Sequence, residues 1–204
     1  GKTLSAYGFG PECGTWGGMI ADCLRIPFAD FNLVKVPDGV DPLRVAAAGD
    51  NLTDAWRSVV PPLAQRPEGK VLVIGGGGQS IGLYAAGLAV ANGASQVDYL
   101  DDRDARLEVA AGFGAVVRKV SKNRKRSLIG AIPDRYDVVV EASSKPQGLR
   151  DALRALRPGG TCTGTGYYVD TGTKLPVMDM YATSATLNVG VSHVRPHLPD
   201  LLSF

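Results

Sequence analysis

The chain has 204 residues, room for one full domain and part of another, and its 45% hydrophobic and 21% charged content excludes a disordered or collagen-like chain. A formal net charge of +2 excludes a strong electrostatic pull toward nucleic acid or a membrane surface, so neither is expected as a partner. Cys13, Cys23 and Cys162 are odd in number and far apart, with no Cys-x-x-Cys pair or disulfide framework, which predicts a reducing, cytoplasmic setting.

Residues 1–37 are rich in glycine and short apolar runs, and Met19 to Pro27 and Asn32 to Val36 read as short strands. Pro37-Asp38-Gly39 signals a turn. Asp41-Pro42 then opens a helical pattern from Leu43 to Val60, with a break or cap at Gly49-Asp50-Asn51 and an end at Pro61-Pro62. Gln65 to Lys70 is the expected boundary between two structural units. Beyond it strands and helices alternate. Val71 to Ile74 is a continuous apolar run suited to a strand buried on both faces. Ser80 to Asn92 reads as a helix closed by Asn92-Gly93, Gln96 to Leu100 as a strand, Arg103 to Ala111 as a helix and Ala115 to Val120 as a strand. The basic run Lys122 to Arg126 has no interleaved aromatics and reads as a solvated segment. Tyr136 to Ala142 is the next strand, followed by a helix from Gln147 to Leu156. A tight turn at Pro158-Gly159-Gly160 leads into a strand over Thr161 to Thr165, and Thr186 to Val191 is a sixth. This rhythm predicts an α/β doubly wound parallel sheet, in the order 3-2-1-4-5-6.

Between the first of those strands and its helix lies Gly75-Gly76-Gly77-Gly78-Gln79-Ser80-Ile81-Gly82. Without Cβ atoms such a backbone turns sharply and approaches a pyrophosphate closely, and the first amides of the following helix face the phosphate oxygens. The spacing departs from G-x-G-x-x-G, so a rearranged loop is expected. Asp101 ends the second strand, 19 positions after Gly82. A carboxylate there can accept from both hydroxyls of an adenosine ribose. A methyltransferase also places a glycine loop and an acid in this order. Its loop commonly opens on an acidic residue, whereas Val73 and Ile74 stand here and favour a dinucleotide.

Val71 to Gly82, Gly93-Ala94, Asp101 with Arg106-Leu107, Gly114-Ala115, Asp137 to Ala142 and Leu156 to Gly160 together resemble the cofactor half of the medium-chain dehydrogenase/reductase superfamily, of the zinc-containing alcohol dehydrogenase type. Gly17-Gly18 through Phe28 to Leu33 and Pro37-Asp38 resemble its formaldehyde dehydrogenase and dismutase branch. The resemblance implies a Rossmann fold over 66–204, preceded at 1–65 by a remnant of a β-rich, GroES-like catalytic domain and a linking helix. It also implies that the chain is truncated at both ends and inactive alone. The implied reaction is hydride transfer between an alcohol and an aldehyde or ketone, with NAD as cofactor and zinc as a Lewis acid in the full-length parent. Asp50 falls where the family draws a metal ligand from the start of the linking helix, and the residue by itself reads equally as a helix N-cap. Asp54 stands where the family commonly has Thr. His193 and His197 are expected on the surface, Cys23 in a core and Cys162 in a buried strand. The expected cofactor contacts are Gly75 in the glycine loop, Gly77, Gly78, Ser80, Ile81 and Gly82 under the pyrophosphate, Asp101 for the adenosine ribose with Arg106 nearby, and Ala142, Ser143, Thr165 and Gly166 on the nicotinamide side. Alternatives are a zinc-free quinone-type reductase of the same superfamily and a non-catalytic nucleotide-binding fragment. The expected partners are a small-molecule alcohol or aldehyde and a second copy of the chain, paired through residues 186–192.

Overall fold

In the computed structural model, β1 (Lys70–Ile74), β2 (Gln96–Asp101), β3 (Val116–Lys119), β4 (Tyr136–Glu141), β5 (Leu156–Gly164) and β6 (Thr186–Val189) form one parallel sheet in the order β3-β2-β1-β4-β5-β6. The described residues are 5–8, 10–121, 127–168 and 172–204, so the basic run at 122–126 lies outside them. The helices are α1 (Ala29–Asn32), α2 (Asn51–Ala64), α3 (Gln79–Ala91), α4 (Asp104–Gly112), α5 (Pro146–Arg154), α6 (Val177–Thr183) and α7 (Val194–Ser203). The chain divides into two compact units, Gly1–Lys35 and Val36–Phe204, so the expected linking helix, α2, groups with the sheet and not with what precedes it.

The sequence of β1 explains its central place. Val71, Leu72, Val73 and Ile74 are fully buried, and alternation sends them to opposite faces of the sheet. Val71 and Val73 meet Ala55, Val59 and Leu63 of α2 and Ala85 and Ala89 of α3, in a core that also takes in Leu107 of α4 and Leu201 of α7. Leu72 and Ile74 meet Leu149, Ala152 and Leu153 of α5 on the other face. Each such side chain contributes about 1.5–3 kcal/mol when fully buried. With both faces apolar, alternation cannot set the register. Polar ties at the strand ends supply it: the Lys70 amide donates to Asp137 at 2.9 Å, and Arg157 reaches the same carboxylate at 3.1 Å.

Several boundaries differ from those expected. From Pro42 to Asp50 the chain forms successive turns whose bonds reach back three residues, as from Arg44 to Asp41 and Ala48 to Val45, and the α-helix begins only at Asn51. It then runs through Pro61 and Pro62 to Ala64, one turn past the expected stop, and buries Leu63 in the core. The two prolines withhold only their own amides, and the burial of Leu63 carries the last turn. The second proline-containing surprise is β5, which starts at Leu156. Pro158-Gly159-Gly160 is a bulge inside it rather than a turn before it, because Tyr136 pairs with Leu156 and Val138 with Thr161. Helix α3 ends as expected: Gly93 takes φ 78°, its amide donates to Val90 and that of Ala94 to Ala89, a Schellman closure.

In the unit Gly1–Lys35 the expected strands at Met19 to Pro27 and Asn32 to Val36 are absent among the described residues. A 3-10 turn at Pro11–Cys13 and the four-residue α1 stand there instead. A strand needs a partner for its amides and carbonyls, and no described segment pairs with either run. Met19 and Ile20 are exposed, and so is Cys23, which is not the core residue expected. Cys162 is buried in β5, His193 is exposed and His197 half-buried.

Candidate functional site

The parallel order reverses direction between β1 and β4, and crevices form at the carboxyl ends of strands at such a point. Gly75 to Gly78 cross it. The Gly75 amide donates to Leu100 at 2.8 Å, continuing the ladder, while Gly77 and Gly78 turn toward the end of β4 and donate to Ser143 at 3.2 Å and Ala142 at 2.7 Å. Gly76 takes φ 146°, which favours glycine. A Cβ on Gly77 would lie 2.9 Å from Ser144 Oγ and 3.0 Å from the Ser143 carbonyl, and one on Gly75 would lie 2.6 Å from the Tyr99 hydroxyl. At Gly82 a Cβ would make only ordinary contacts, 3.5 Å or more from its neighbours.

Helix α3 starts directly after this loop. Its N-cap is Gly78, which offers no side chain to the first turn, so the amides of Gln79, Ser80 and Ile81 have neither an intrahelical acceptor nor a capping group. Those amides and the positive helix end behind them form an anion cradle. The Asn51 amide at the start of α2 donates to Ser80 Oγ at 2.8 Å and orients that hydroxyl.

A cleft of about 490 Å³ opens here, lined by Asn51, the 77–81 loop, Ser144, Thr165, Gly166 and Tyr167. Six of the expected residues thus come together on it: Gly77, Gly78, Ser80, Ile81, Thr165 and Gly166. Gly75, Gly82, Ala142 and Ser143 lie buried and outside its lining. The amides of Gly77 and Gly78 already serve Ser143 and Ala142, which leaves the anion-facing role to Gln79, Ser80 and Ile81. The sequence reading missed Asn51, Gln79, Ser144 and Tyr167. Gln79 could have been found as the first residue of the helix, and Tyr167 as the neighbour of Gly166. Nothing in the sequence marks Ser144.

Asp101, at the end of β2, is fully buried. Its Oδ1 accepts from the Arg103 amide at 3.0 Å and from Arg106 Nη2 at 2.7 Å, and its Oδ2 from Arg106 Nε at 2.9 Å and the Tyr99 hydroxyl at 3.1 Å. Burial alone would raise its pKa, but these donors, Arg106 foremost, outweigh it and hold the carboxyl below the usual range. In this arrangement the carboxylate presents no surface to a ribose and all four acceptor positions are filled. Asp102 is the neighbouring acid that reaches the surface, 3.3 Å from Arg106 with its side chain 15% exposed.

Glu141, at the end of β4, is equally buried. It accepts from the Ser143 amide at 2.9 Å and from the Ser143 and Tyr168 hydroxyls. Burial pushes its pKa up, more than these neutral donors pull it down. Its backbone carbonyl accepts from the Thr165 amide at 3.0 Å. Glu141 therefore ties the loop after β4 to the loop after β5, and both loops wall the cleft.

Asp50 occupies the N-cap position of α2, is exposed and makes no side-chain cap bond. Asp54, one turn on, is buried and pairs with Arg57 at 2.5 Å, which also reaches the Gly190 carbonyl at 2.7 Å. Among the described residues no group of three or more His, Cys, Asp or Glu could hold a metal ion. The zinc implied by the resemblance therefore does not fit the described residues. The glycine cradle does fit a dinucleotide.

The family model described as zinc-binding dehydrogenase matches residues 80–203. A probable zinc-binding alcohol dehydrogenase of Mycobacterium tuberculosis is 31% identical over 194 residues, covering 93% of this chain and 48% of that protein. The L-threonine 3-dehydrogenase of Bacillus licheniformis is 32% identical over 146 residues, 70% of this chain and 40% of that one. Among solved structures, the alcohol dehydrogenase TADH from Thermus sp. ATN1 is similar with a TM-score of 0.82 at 31% identity, over 98% of this chain and 59% of that chain. The chain spans about half the length of the curated relatives it matches.

Proposed function

Since the chain belongs to the zinc-binding dehydrogenase family, we propose that it is the NAD(H)-binding part of an oxidoreductase that moves a hydride between an alcohol and an aldehyde or ketone. The observation that carries this reading is the uncapped start of α3 under a glycine loop at the β1–β4 switch point. A bound nicotinamide cofactor would supply the acceptor or donor of that hydride, and Gln79, Ser80, Ile81, Thr165 and Gly166 are the residues that would hold it. The residues of this chain bind and orient the cofactor. Gln79, Ser80 and Ile81 hold the pyrophosphate, and Thr165 and Gly166 border the nicotinamide side. Residues 28–38 support the formaldehyde dehydrogenase and dismutase branch as the finer placement.

The cytoplasm is the proposed setting, supported by three free cysteines. No helix among the described residues is long and apolar enough to cross a membrane. A homodimer through residues 186–192 is supported by the outer edge of β6, where Thr186, Asn188 and Val189 are exposed. A monomer by light scattering at micromolar concentration would remove that part of the reading.

Cofactor choice tests the proposal. Arg106 lies between the carboxylates of Asp101 and Asp102, so two negative charges face one positive where the extra phosphate of NADP would arrive. Like-charge juxtaposition in a binding site costs several kcal/mol, of which the single guanidinium of Arg106 offsets only part. In calorimetric titration NADH is expected to bind at least ~10-fold more tightly than NADPH, equivalent to about 1.4 kcal/mol. Asp102→Asn is expected to narrow that gap. Equal affinity, or a preference for NADPH, would sink the assignment of this strand end to the adenosine ribose.

A further inference from the structure

Ser144 is a non-glycine residue in the left-handed region, at φ 58°. Such backbone is unfavourable for any residue with a Cβ and persists only where its surroundings hold it. Here the surroundings are specific. The residue before it, Ser143, donates both its amide, at 2.9 Å, and its hydroxyl to the buried Glu141 carboxyl. The Ser144 side chain lies between two glycines. A Cβ on Gly77 would lie 2.9 Å from Ser144 Oγ, and a Cβ on Gly166 would lie 2.5 Å from that same oxygen and 2.7 Å from Ser144 Cα. Glu141 in turn needs Gly148, where a Cβ would lie 2.6 Å from its Oε1. Three glycines are thus required around one strained serine and the acid that holds its neighbour. Ser144 lines the cleft, and its hydroxyl has no partner among the described residues.

We propose that Ser144 is a cofactor-contact residue, and that Glu141, tied to Tyr168, is the positioning residue that presents it. This rests on reading the cleft as a dinucleotide site. The hydroxyl stands between the loop assigned to the pyrophosphate and the Thr165-Gly166 wall assigned to the nicotinamide side. It therefore meets the dinucleotide where those two parts join, beyond the reach of the adenosine half.

The test is a calorimetric comparison of NADH with ADP, which lacks the nicotinamide half, with thermal unfolding run in parallel. Ser144→Gly removes the hydroxyl and relieves the left-handed strain together. It is expected to weaken NADH roughly fivefold, the loss of one hydrogen bond. ADP binding should change less than about twofold and Tm should hold or rise, a combination that a purely structural role would not give. Glu141→Gln keeps an acceptor oxygen and is expected to retain NADH binding, whereas Glu141→Ala and Tyr168→Phe lose it selectively over ADP. If Glu141→Ala does not fold, Ser144→Gly decides by itself. Wild-type affinity for NADH in Ser144→Gly overturns the role of Ser144 alone. A wild-type chain that binds neither NADH nor ADP overturns the reading of the cleft beneath it.

Discussion

Asp101 and Glu141 end the two strands that flank β1, and each is fully buried with its carboxylate against a glycine, Gly75 and Gly148 respectively. Their pKa values nevertheless move in opposite directions. Burial opposes ionisation in both, but Asp101 has the two-pronged guanidinium of Arg106 and falls below the ordinary value, whereas Glu141 has hydroxyls and amides and rises above it. The type of partner decides the sign. Asp101 is closed into a buried ion pair with Arg106, and Glu141 holds together the loops after β4 and β5 that wall the cleft.

The sharpest way to break this comparison is to remove the cation. Arg106→Met leaves Asp101 buried without its counter-ion and is expected to lower unfolding free energy by about 3 kcal/mol or more in urea denaturation. Tyr168→Phe removes one hydroxyl from Glu141 and is expected to lower it by ~1 kcal/mol. Equal losses would mean that Asp101 and Glu141 are held alike.

An intermediate effect is expected at the two glycines. Gly75→Ala drives a methyl into Asp101 and Tyr99, and Gly148→Ala drives one into Glu141 and Ser143. Overpacking of this kind costs ~1–3 kcal/mol, read as a lower Tm in each case. Gly82→Ala, with only ordinary contacts, should leave Tm almost unchanged. A drop as large at Gly82 would show that general helix–strand packing, and not the carboxylates, sets the need for glycine.

The smallest expected effect is the pH dependence, and its sign differs between the two acids. Asp101, with a folded pKa below its unfolded value of 3.8, contributes stability that is present above pH 3.8 and lost as pH falls through the folded value. Glu141, with a folded pKa above 4.5, contributes stability that is present below pH 4.5 and lost as pH rises through the folded value. Denaturation of Glu141→Gln beside the wild type should therefore show the variant gaining on the wild type as pH rises from 4.5 toward neutrality. A constant difference over that window would show that Glu141 has the same pKa folded and unfolded.

Much of the sheet was legible in the sequence because its elements are marked locally. Val71 to Ile74 is an apolar run closed by glycine, and Asn92-Gly93 stops α3 within a residue of the place expected. Where the mark depends on a neighbour, the reading failed. Leu156 to Gly160 looks like a helix end and a turn, and becomes part of β5 because β4 lies alongside and accepts the bulge. Met19 to Pro27 has the composition of a strand but no partner among the described residues, so its backbone groups have no ladder to join. Asn51 begins α2 where the pattern had suggested a break or cap, since Asp50 takes a non-helical backbone, at φ −156° and ψ −93°, that an α-helix cannot run through.

The sequence by itself determined the alternation of strands and helices and the position of the glycine loop ahead of α3. Both follow from apolar periodicity and from residues that punctuate the chain at short range, whereas the strand order was expected from the resemblance to a dinucleotide-binding fold. The tertiary structure alone decided what the acids and the serine do. Arg106 closes over Asp101 and fills its acceptors, so the acid reaching the surface there is Asp102. Glu141 meets Tyr168 across 27 residues, and Ser144 meets Gly77 and Gly166 from opposite sides in sequence. Those contacts depend on strands brought together by burial, and a one-dimensional pattern carries periodicity and punctuation but not the distances between loops that folding makes neighbours.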